Sequence, residues 1–136
     1  MRASFPLIYK YDPDFGLVTE PIIPVLILTK NGSYELYDFI LDTGADCCIM
    51  PKTVAEDLGI DIKALPKICF KGIEGGIIDA YLTKITMKIT DTPIEVKCVL
   101  ASSERVPFIL GRADIFDHFN ILIDNKKKQI RFTRIK

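Results

Sequence analysis

One stretch, residues 39–45, constrains the fold of this chain more than any other. Its first three residues are apolar, which is typical of a buried strand, and Asp42-Thr43-Gly44 follows them directly, where a tight turn is expected. Removing a carboxylate charge from water is costly, so an Asp in a core must be paired or hydrogen-bonded. Asp42 is therefore either a turn residue that reaches solvent or an acid with a function.

The length and charge of the chain limit the class of protein. With 136 residues it fits one domain, residues 1–136, with residues 1–19 as an N-terminal arm or extra hairpin. The 18 basic and 18 acidic residues cancel, so no overall positive field favours nucleic acid or an anionic membrane as a partner. The richest apolar run, residues 22–28, is too short to span a bilayer, and we expect a cytoplasmic protein.

The cysteines and the histidine do not form a metal-binding pattern. The four cysteines lie at positions 47, 48, 69 and 98 without paired ligand spacing, and the lone His118 supplies no second type of ligand nearby. We expect reduced, mostly buried thiols, and neither a metal nor an organic cofactor.

Alternating apolar residues and turn signals predict a mostly β chain. Residues 24–29 and 34–41 form a hairpin around Asn31-Gly32, a dipeptide that tolerates positive φ. Residues 4–19 either extend the sheet as a surface strand, or contact a partner or form a removable leader. Further strands are predicted at residues 67–71, 77–89, 94–100, 121–124 and 129–135, and short helices at residues 51–58 and 113–119. Residues 108–111 are a second apolar run that ends at a glycine. This arrangement is closer to a barrel than to alternating βα units.

The context of Asp-Thr-Gly makes it informative. The segment Leu41-Asp42-Thr43-Gly44-Ala45-Asp46 is followed by a glycine-rich segment, Gly72-Ile73-Glu74-Gly75-Gly76, and then by Ile109-Leu110-Gly111-Arg112 before a short helix. This order resembles the retropepsin family, the single-domain aspartic proteases of retroviruses and their cellular relatives. The resemblance covers residues 22–135. It implies a closed β-barrel of the acid-protease type with two short helices and one lobe per chain.

The resemblance implies an aspartic endopeptidase that hydrolyses peptide bonds, and that chemistry requires two carboxylates. One ionised group activates water, and one protonated group polarises the carbonyl. The chain supplies one candidate acid, Asp42, so an obligate homodimer would supply the second, and the two would share a proton. Gly44 lets the backbone approach the carboxylate, and its amide orients it. By resemblance, Thr43 bonds across the axis and residues 129–135 pair with their twin.

Neighbouring positions tune and support this turn. Pepsin-like relatives often carry a hydroxyl where this chain has Ala45, so we expect a less acidic dyad that works from mildly acidic toward neutral pH. Asp46 and Arg112 match a pair that, in the family, ties the turn to the second helix; the alternative is two unrelated surface charges. Gly111 belongs to the same supporting segment. Thr19-Glu20-Pro21 occupies the region where the retroviral pattern has an arginine that reaches this pair across the dimer.

The expected substrate is an extended peptide or protein with apolar residues around the cut. Backbone groups of Gly72 and Ile73, the flap of the family, would close over it. The resemblance assigns the substrate site to Ala45, Asp46, Ile40, Ile49, Gly72, Ile73, Val106 and Ile109. For Ile40 and Ile49 a place in the core fits equally well.

Two other classes of protein stay open. A chain that keeps the fold and the dimer without catalysis would be a peptide-binding or dimerisation module. An Asp after an apolar strand also forms the aspartyl phosphate of some phosphotransfer enzymes. That chemistry needs a Mg²⁺ site of several acids on an α/β scaffold, which this mostly β chain does not supply.

Overall fold

A computed structural model of the protein describes residues 1–71 and 77–136. Within these ranges the chain is mostly β with two short helices, which confirms that part of the prediction. The strands are β1 (Arg2–Pro6), β2 (Ile8–Asp12), β3 (Gly16–Glu20), β4 (Ile22–Leu28), β5 (Tyr34–Leu41), β6 (Cys48–Pro51), β7 (Lys67–Lys71), β8 (Ile77–Lys88), β9 (Ile94–Ala101), β10 (Ile109–Leu110), β11 (Phe119–Asp124) and β12 (Gln129–Arg134). The helices are α1 (Ala55–Leu58) and α2 (Ile115–His118), with 3-10 turns at Lys52–Val54 and Ile62–Ala64. None of the described helices has the length and hydropathy needed to cross a membrane.

The predicted hairpin of β4 and β5 leads the chain to Asp42. The two strands pair antiparallel from Ile22 opposite Ile40 to Leu28 opposite Tyr34. Gly32 has a φ of 78°, and the Thr29 backbone amide donates to the Ser33 carbonyl at 2.8 Å, so the turn closes as the Asn-Gly signal predicts. Alternate residues of β4 are fully buried, which fixes one face of the hairpin toward the core.

Seven strands form the main sheet in the order β4-β5-β10-β6-β9-β8-β7. β4 also pairs with β8, through Leu26 opposite Lys88 and Ile27 opposite Met87. A ring of hydrogen-bonded pairs therefore runs through β4, β5, β10, β6, β9 and β8, and β7 lies outside it. Most neighbours are antiparallel, whereas β5 with β10 and β6 with β9 are parallel. The short strand β10 therefore lies between β5 and β6, next to the start and the end of the Asp42 turn.

The strand β6 was not among the sequence predictions. It has four residues, and its register places Cys48 opposite Cys98 and Met50 opposite Leu100 in β9. All four of these side chains are fully buried. Because a segment this short carries little alternation, the pattern gave no basis for separating β6 from the loop before α1.

The core lies on one face of the main sheet and is closed by α2 and the terminal strands. Its largest fully buried side chains include Phe39, Met50, Leu100, Ile115 and Phe132. Phe132 packs edge-on against Phe119 at a ring-centroid distance of 5.7 Å. The second short helix is therefore anchored to the same core as the strand that carries Asp42.

The chain termini form a separate three-stranded sheet in the order β1-β12-β11. β12 is the central strand, paired with β1 along Arg2–Pro6 and with β11 along Phe119–Asp124. Both edges of β12 are thus occupied within one chain. This corrects the expectation that residues 129–135 pair with their twin, because a strand has only two hydrogen-bonding edges.

The strands β2 and β3 form a two-stranded hairpin between the terminal sheet and the main sheet. The Asp12 carboxylate accepts hydrogen bonds from the amides of Asp14 and Phe15, which closes the turn. At its base, Glu20 lies 3.7 Å from Lys10, and the Pro21 carbonyl accepts from the Leu41 amide at 2.9 Å. The base of this hairpin is therefore hydrogen-bonded to the residue that precedes Asp42.

Candidate active site

The carboxylate of Asp42 is exposed at the end of a buried strand. Leu41, the last residue of β5, is 6% exposed, whereas Asp42, Thr43 and Gly44 are all exposed. The Gly44 amide donates to Asp42 Oδ1 at 3.0 Å, and the Ala45 amide donates to the Asp42 carbonyl at 3.1 Å. The carboxylate is therefore held in one orientation by its own turn while the Asp42 side chain stays exposed.

Residues 109–113 hold the Asp42 turn through their backbone. β10 lies parallel to β5 with Ile109 opposite Ile40 and Leu110 opposite Leu41. The Asp42 amide donates to the Leu110 carbonyl at 3.0 Å. Beyond the turn, the Arg112 amide donates to the Ala45 carbonyl at 3.0 Å and the Ala113 amide to the Asp46 carbonyl at 2.9 Å. Both ends of the turn are thus fixed by main-chain bonds from one segment.

Gly111 allows the two segments to come this close. It is buried, and a Cβ atom built on it would overlap the backbone carbonyl group of Cys47. Any side chain would push the residues after the turn away from β10. The supporting role predicted for Gly111 has this physical basis: the site needs a residue without a side chain at this point.

The structure brings Asp46 and Arg112 into contact. Arg112 Nη2 donates to Asp46 Oδ1, so the alternative of two unrelated charges does not describe this geometry. The Asp46 side chain is 91% exposed and the Arg112 side chain 46% exposed. Solvent screens such a pair, so we expect it to contribute at most about 1 kcal/mol to stability and to act mainly on the geometry of the turn.

Three of the predicted substrate-binding residues lie side by side. Ile40, Ile109 and Ile49 occupy directly opposed positions on β5, β10 and β6, and all three are half-buried. Side chains alternate along a strand, so Ile40 and Asp42 project to the same side while Leu41 points into the core. The three isoleucines therefore form an apolar surface next to the carboxylate.

The remaining predicted substrate residues are only partly located. Val106 is half-buried in the loop before β10, and Ala45 is half-buried within the turn itself. Gly72 and Ile73 lie outside the described residues. The arms on either side of them are described: β7 and β8 pair antiparallel, with Lys67 opposite Tyr81.

A cleft beside Thr43 was not predicted from the sequence. It has a volume of about 280 Å³ and is lined by Thr43, Phe116, Phe119, Asn120, Ile121 and Ile123. Phe116 is 43% exposed and Ile123 is 51% exposed, which is high for large apolar side chains. The sequence signal was the apolar content of residues 119–123, which fits a buried strand as well as an exposed one.

Asp114 is a second feature that the sequence pattern did not reveal. Its φ is 65°, an unusual backbone conformation for a residue with a side chain, and its Oδ2 accepts from the Lys97 amide of β9 at 2.7 Å. An Asp before a helix is usually read as an N-cap, but this side chain makes no capping hydrogen bond. It ties the start of α2 to the main sheet instead.

The thiols near the turn are protonated and mostly shielded. Burial raises the pKa of Cys48 from its ordinary value of 9.0 to about 12, and a hydrogen bond from the Gly111 backbone partly opposes this rise. Burial also raises the pKa of Cys98 and, together with the charge of Asp46, that of Cys47. Of the four thiols expected to be mostly buried, Cys48 and Cys98 are buried, Cys47 is half-buried and Cys69 is exposed. Among the described residues, no group of three His, Cys, Asp or Glu side chains has the arrangement of a metal site.

Comparisons with known proteins fit this geometry. A family model described as aspartyl protease matches residues 23–113. The crystal structure of a retropepsin-like aspartic protease from Rickettsia conorii matches with a TM-score of 0.62 and 17% identity over 97% of this chain and 92% of that chain. The EIAV protease in complex with the inhibitor HBY-793 matches with a TM-score of 0.54 and 26% identity over 72% of this chain and 86% of that chain. A search of curated proteins found no significant match.

Proposed function

The chain belongs to the aspartyl protease family, in its retropepsin-like form, and we propose that it is an aspartic endopeptidase whose dyad is Asp42 and the partner's Asp42. One observation carries this proposal: the Asp42 carboxylate is exposed and is oriented by the Gly44 amide at 3.0 Å. A functional acid needs both properties, because it must reach a substrate and hold one geometry.

The second carboxylate comes from a second copy of the chain. Peptide hydrolysis by this chemistry needs one ionised and one protonated acid. The turn holds two acids, but Asp46 is bound to Arg112, which leaves Asp42 for catalysis. A twofold axis beside Asp42 brings two identical turns together, and two close carboxylates then share a single proton. Residues 1–136 act in this arrangement as one domain that supplies one lobe.

The reaction proceeds through a tetrahedral intermediate. The ionised carboxylate takes a proton from water as the water oxygen attacks the peptide carbon, and the protonated carboxyl gives its proton to the carbonyl oxygen. The leaving nitrogen then takes up a proton from the dyad, the carbon–nitrogen bond breaks, and a hydroxyl proton returns to the dyad. The products are a carboxylic acid and an amine, and no metal or organic cofactor takes part.

The second copy of the chain binds at the surface around the Thr43 cleft. Phe116 and Ile123 are exposed apolar side chains that line this cleft together with Thr43, a residue of the Asp42 turn. Exposed apolar patches next to an incomplete site are typical of interaction surfaces. Thr43 then contacts the partner across the axis, and the terminal sheet contributes β11, whose outer edge is unpaired among the described strands.

The substrate is an extended peptide or protein that lies across the row of isoleucines. Ile40, Ile49 and Ile109 favour apolar residues around the cut, with Val106 and Ala45 at the margin. The flap residues Gly72 and Ile73 close over the peptide with their backbone groups. We propose that the ring of strand pairs is the closed barrel of the acid-protease type. We expect the enzyme to work in the cytoplasm.

A cleavage assay across pH tests the proposal. Wild type is incubated with a library of unstructured peptides, with and without a transition-state mimic of peptide hydrolysis, and products are identified by mass spectrometry. We expect inhibitable cleavage that Asp42→Asn abolishes, because the amide cannot activate water. Asp38→Asn is the matched control: Asp38 is exposed on the same strand, so this variant should keep wild-type activity.

The dimer is measured on the same samples. Analytical ultracentrifugation should show that Asp42→Asn still dimerises, which separates loss of chemistry from loss of assembly. Wild type that dimerises but cleaves no peptide at any pH would contradict the enzyme and favour a peptide-binding module with the same fold.

A further inference from the structure

The row of isoleucines continues onto a fourth strand. Ile22 in β4 lies directly opposite Ile40 in β5, and Ile40 is opposite Ile109, which is opposite Ile49. Directly opposed side chains on neighbouring strands lie about 5 Å apart on the same face. Ile22 is half-buried like the other three. The four residues therefore form one continuous apolar row across four strands.

The row lies on the Asp42 side of the sheet and not in the core. The residues next to Ile22, Ile40, Ile109 and Ile49 along their own strands include Ile23, Leu41, Leu110 and Met50, and all of these are buried. Because side chains alternate, the row must face the other way. The same alternation places Asp42 directly after Ile40 on this face, with Asp38 directly before it.

The two ends of the row differ. Beyond Ile49 the register continues to Val99 and then to Leu82 in β8. Val99 is only 5% exposed, so the accessible part of the row stops at Ile49, although Leu82 is 36% exposed. At the other end, β4 pairs with β8 only at Leu26 and Ile27, so among the described strands none pairs with the other edge of β4 at Ile22. Ile22 is the last side chain of the row, and its size sets how far the row extends.

We propose that Ile22 is a specificity-determining residue that forms the end wall of an apolar subsite for one side chain of the substrate. The inference rests on the proposed function, because it assigns a role within the same substrate site. A smaller residue at position 22 lengthens the subsite and favours a larger apolar substrate side chain. A larger residue shortens the subsite and favours a smaller one.

Peptide binding tests this role without depending on catalysis. Fluorescent extended peptides that differ only in one central side chain, Val, Leu or Phe, are titrated into Asp42→Asn and followed by fluorescence anisotropy. Combining Asp42→Asn with Ile22→Ala should raise the affinity ratio of the Phe to the Val peptide about tenfold, the usual discrimination for a small change in an apolar pocket. Ile22→Phe should lower the same ratio.

The matched control is Leu26→Ala. Leu26 lies four residues along the same strand on the same face, is 36% exposed, and has Leu36 and Lys88 as its cross-strand neighbours, outside the row. This variant loses a similar side chain but should leave the affinity ratio unchanged. Ile22→Val removes less volume, and it should move the ratio in the same direction as Ile22→Ala by a smaller factor even if Ile22→Ala folds poorly.

The outcomes separate this inference from the proposed catalysis. Opposite shifts for Ile22→Ala and Ile22→Phe support the role of Ile22, since a general loss of stability would weaken all peptides alike. Equal ratios in all variants would overturn it, as would the absence of binding for every peptide. If wild type does not cleave these peptides but the ratios shift as expected, the catalytic proposal fails and the subsite stands.

Discussion

Two apolar runs, residues 39–41 and 108–110, lie side by side in parallel, and the residues that follow them differ in exposure. Ile40 and Leu41 of the first run are opposite Ile109 and Leu110 of the second. The next residue of the first run, Asp42, is exposed, whereas the next residue of the second run, Gly111, is buried. One run delivers a carboxylate to solvent, and the other ends in a residue with no side chain.

The difference shows that the site is a unit of two segments. The first run presents an acid because of two features of the second. Gly111 leaves room for the residues after the turn. Residues 110–113 also supply main-chain partners for Asp42, Ala45 and Asp46. The two runs are similar in sequence but differ in role: residues 39–46 present the exposed acid, and residues 108–113 fix the geometry of its turn.

Replacing Gly111 should have the largest effect on this unit. In Gly111→Ala, the new Cβ would overlap the Cys47 backbone, so the turn and β10 must separate. We expect unfolding in urea to show a loss of about 3 kcal/mol of stability. The control, Gly32→Ala, has open space around its Cβ but a φ of 78°, and should lose about 1–2 kcal/mol. Equal losses in the two variants would mean that the close approach at Gly111 is not important.

The buried thiol of Cys48, which contacts the Gly111 backbone, should make the free energy of unfolding decrease at alkaline pH. Burial raises the pKa of Cys48 from 9.0 to about 12, so the unfolded chain loses this proton at lower pH than the folded chain. The stabilising contribution is therefore complete below pH 9 and is lost as pH rises toward 12, by about 1.4 kcal/mol per pH unit. Urea titrations should show a smaller decline in Cys48→Ala than in wild type.

Cys69→Ala is the control for the alkaline experiment, because Cys69 is exposed. It should reproduce the wild-type decline. A Cys48→Ala variant with an unchanged decline would show that the space beneath Gly111 is open to water, which would weaken the contrast between the two runs.

The ion pair between Asp46 and Arg112 should contribute less to stability than the main-chain bonds between the two segments. Arg112→Gln removes the donor to Asp46, but Asp46 is 91% exposed, so we expect a loss below about 1 kcal/mol. A double-mutant cycle with Asp46→Asn measures the coupling, which should fall further in 1 M salt. Arg105→Gln is the control in an exposed loop. A coupling above about 2 kcal/mol would mean that the ion pair, rather than the backbone, holds the turn.

The smallest effect should come from Ala45→Ser. A hydroxyl at this position can donate to the ionised acid of the proposed dyad, so the acidic limb of the cleavage profile should move to lower pH. Ala113→Ser makes the same change on the second run and should leave the profile unchanged. Identical profiles for wild type and Ala45→Ser would indicate that Ala45 does not tune the dyad.

Local pattern predicted much of the fold. The β4–β5 hairpin followed from alternation and from Asn31-Gly32, because both act between residues that are close in the chain. The two short helices were predicted for similar reasons. The strand β6 was missed, and the parallel pairing of β6 with β9 joins residues whose contact no local pattern encodes.

The sequence by itself determined that a core strand ends in Asp42-Thr43-Gly44 and that a similar apolar run ends in Gly111-Arg112. Those features depend on residue type and spacing along the chain. Only the tertiary structure decided that Gly111 lies against Cys47, that Ile22 extends the row of isoleucines, and that both edges of β12 are occupied. These features depend on strand register across long stretches of chain, where burial of the whole core selects one pairing among many.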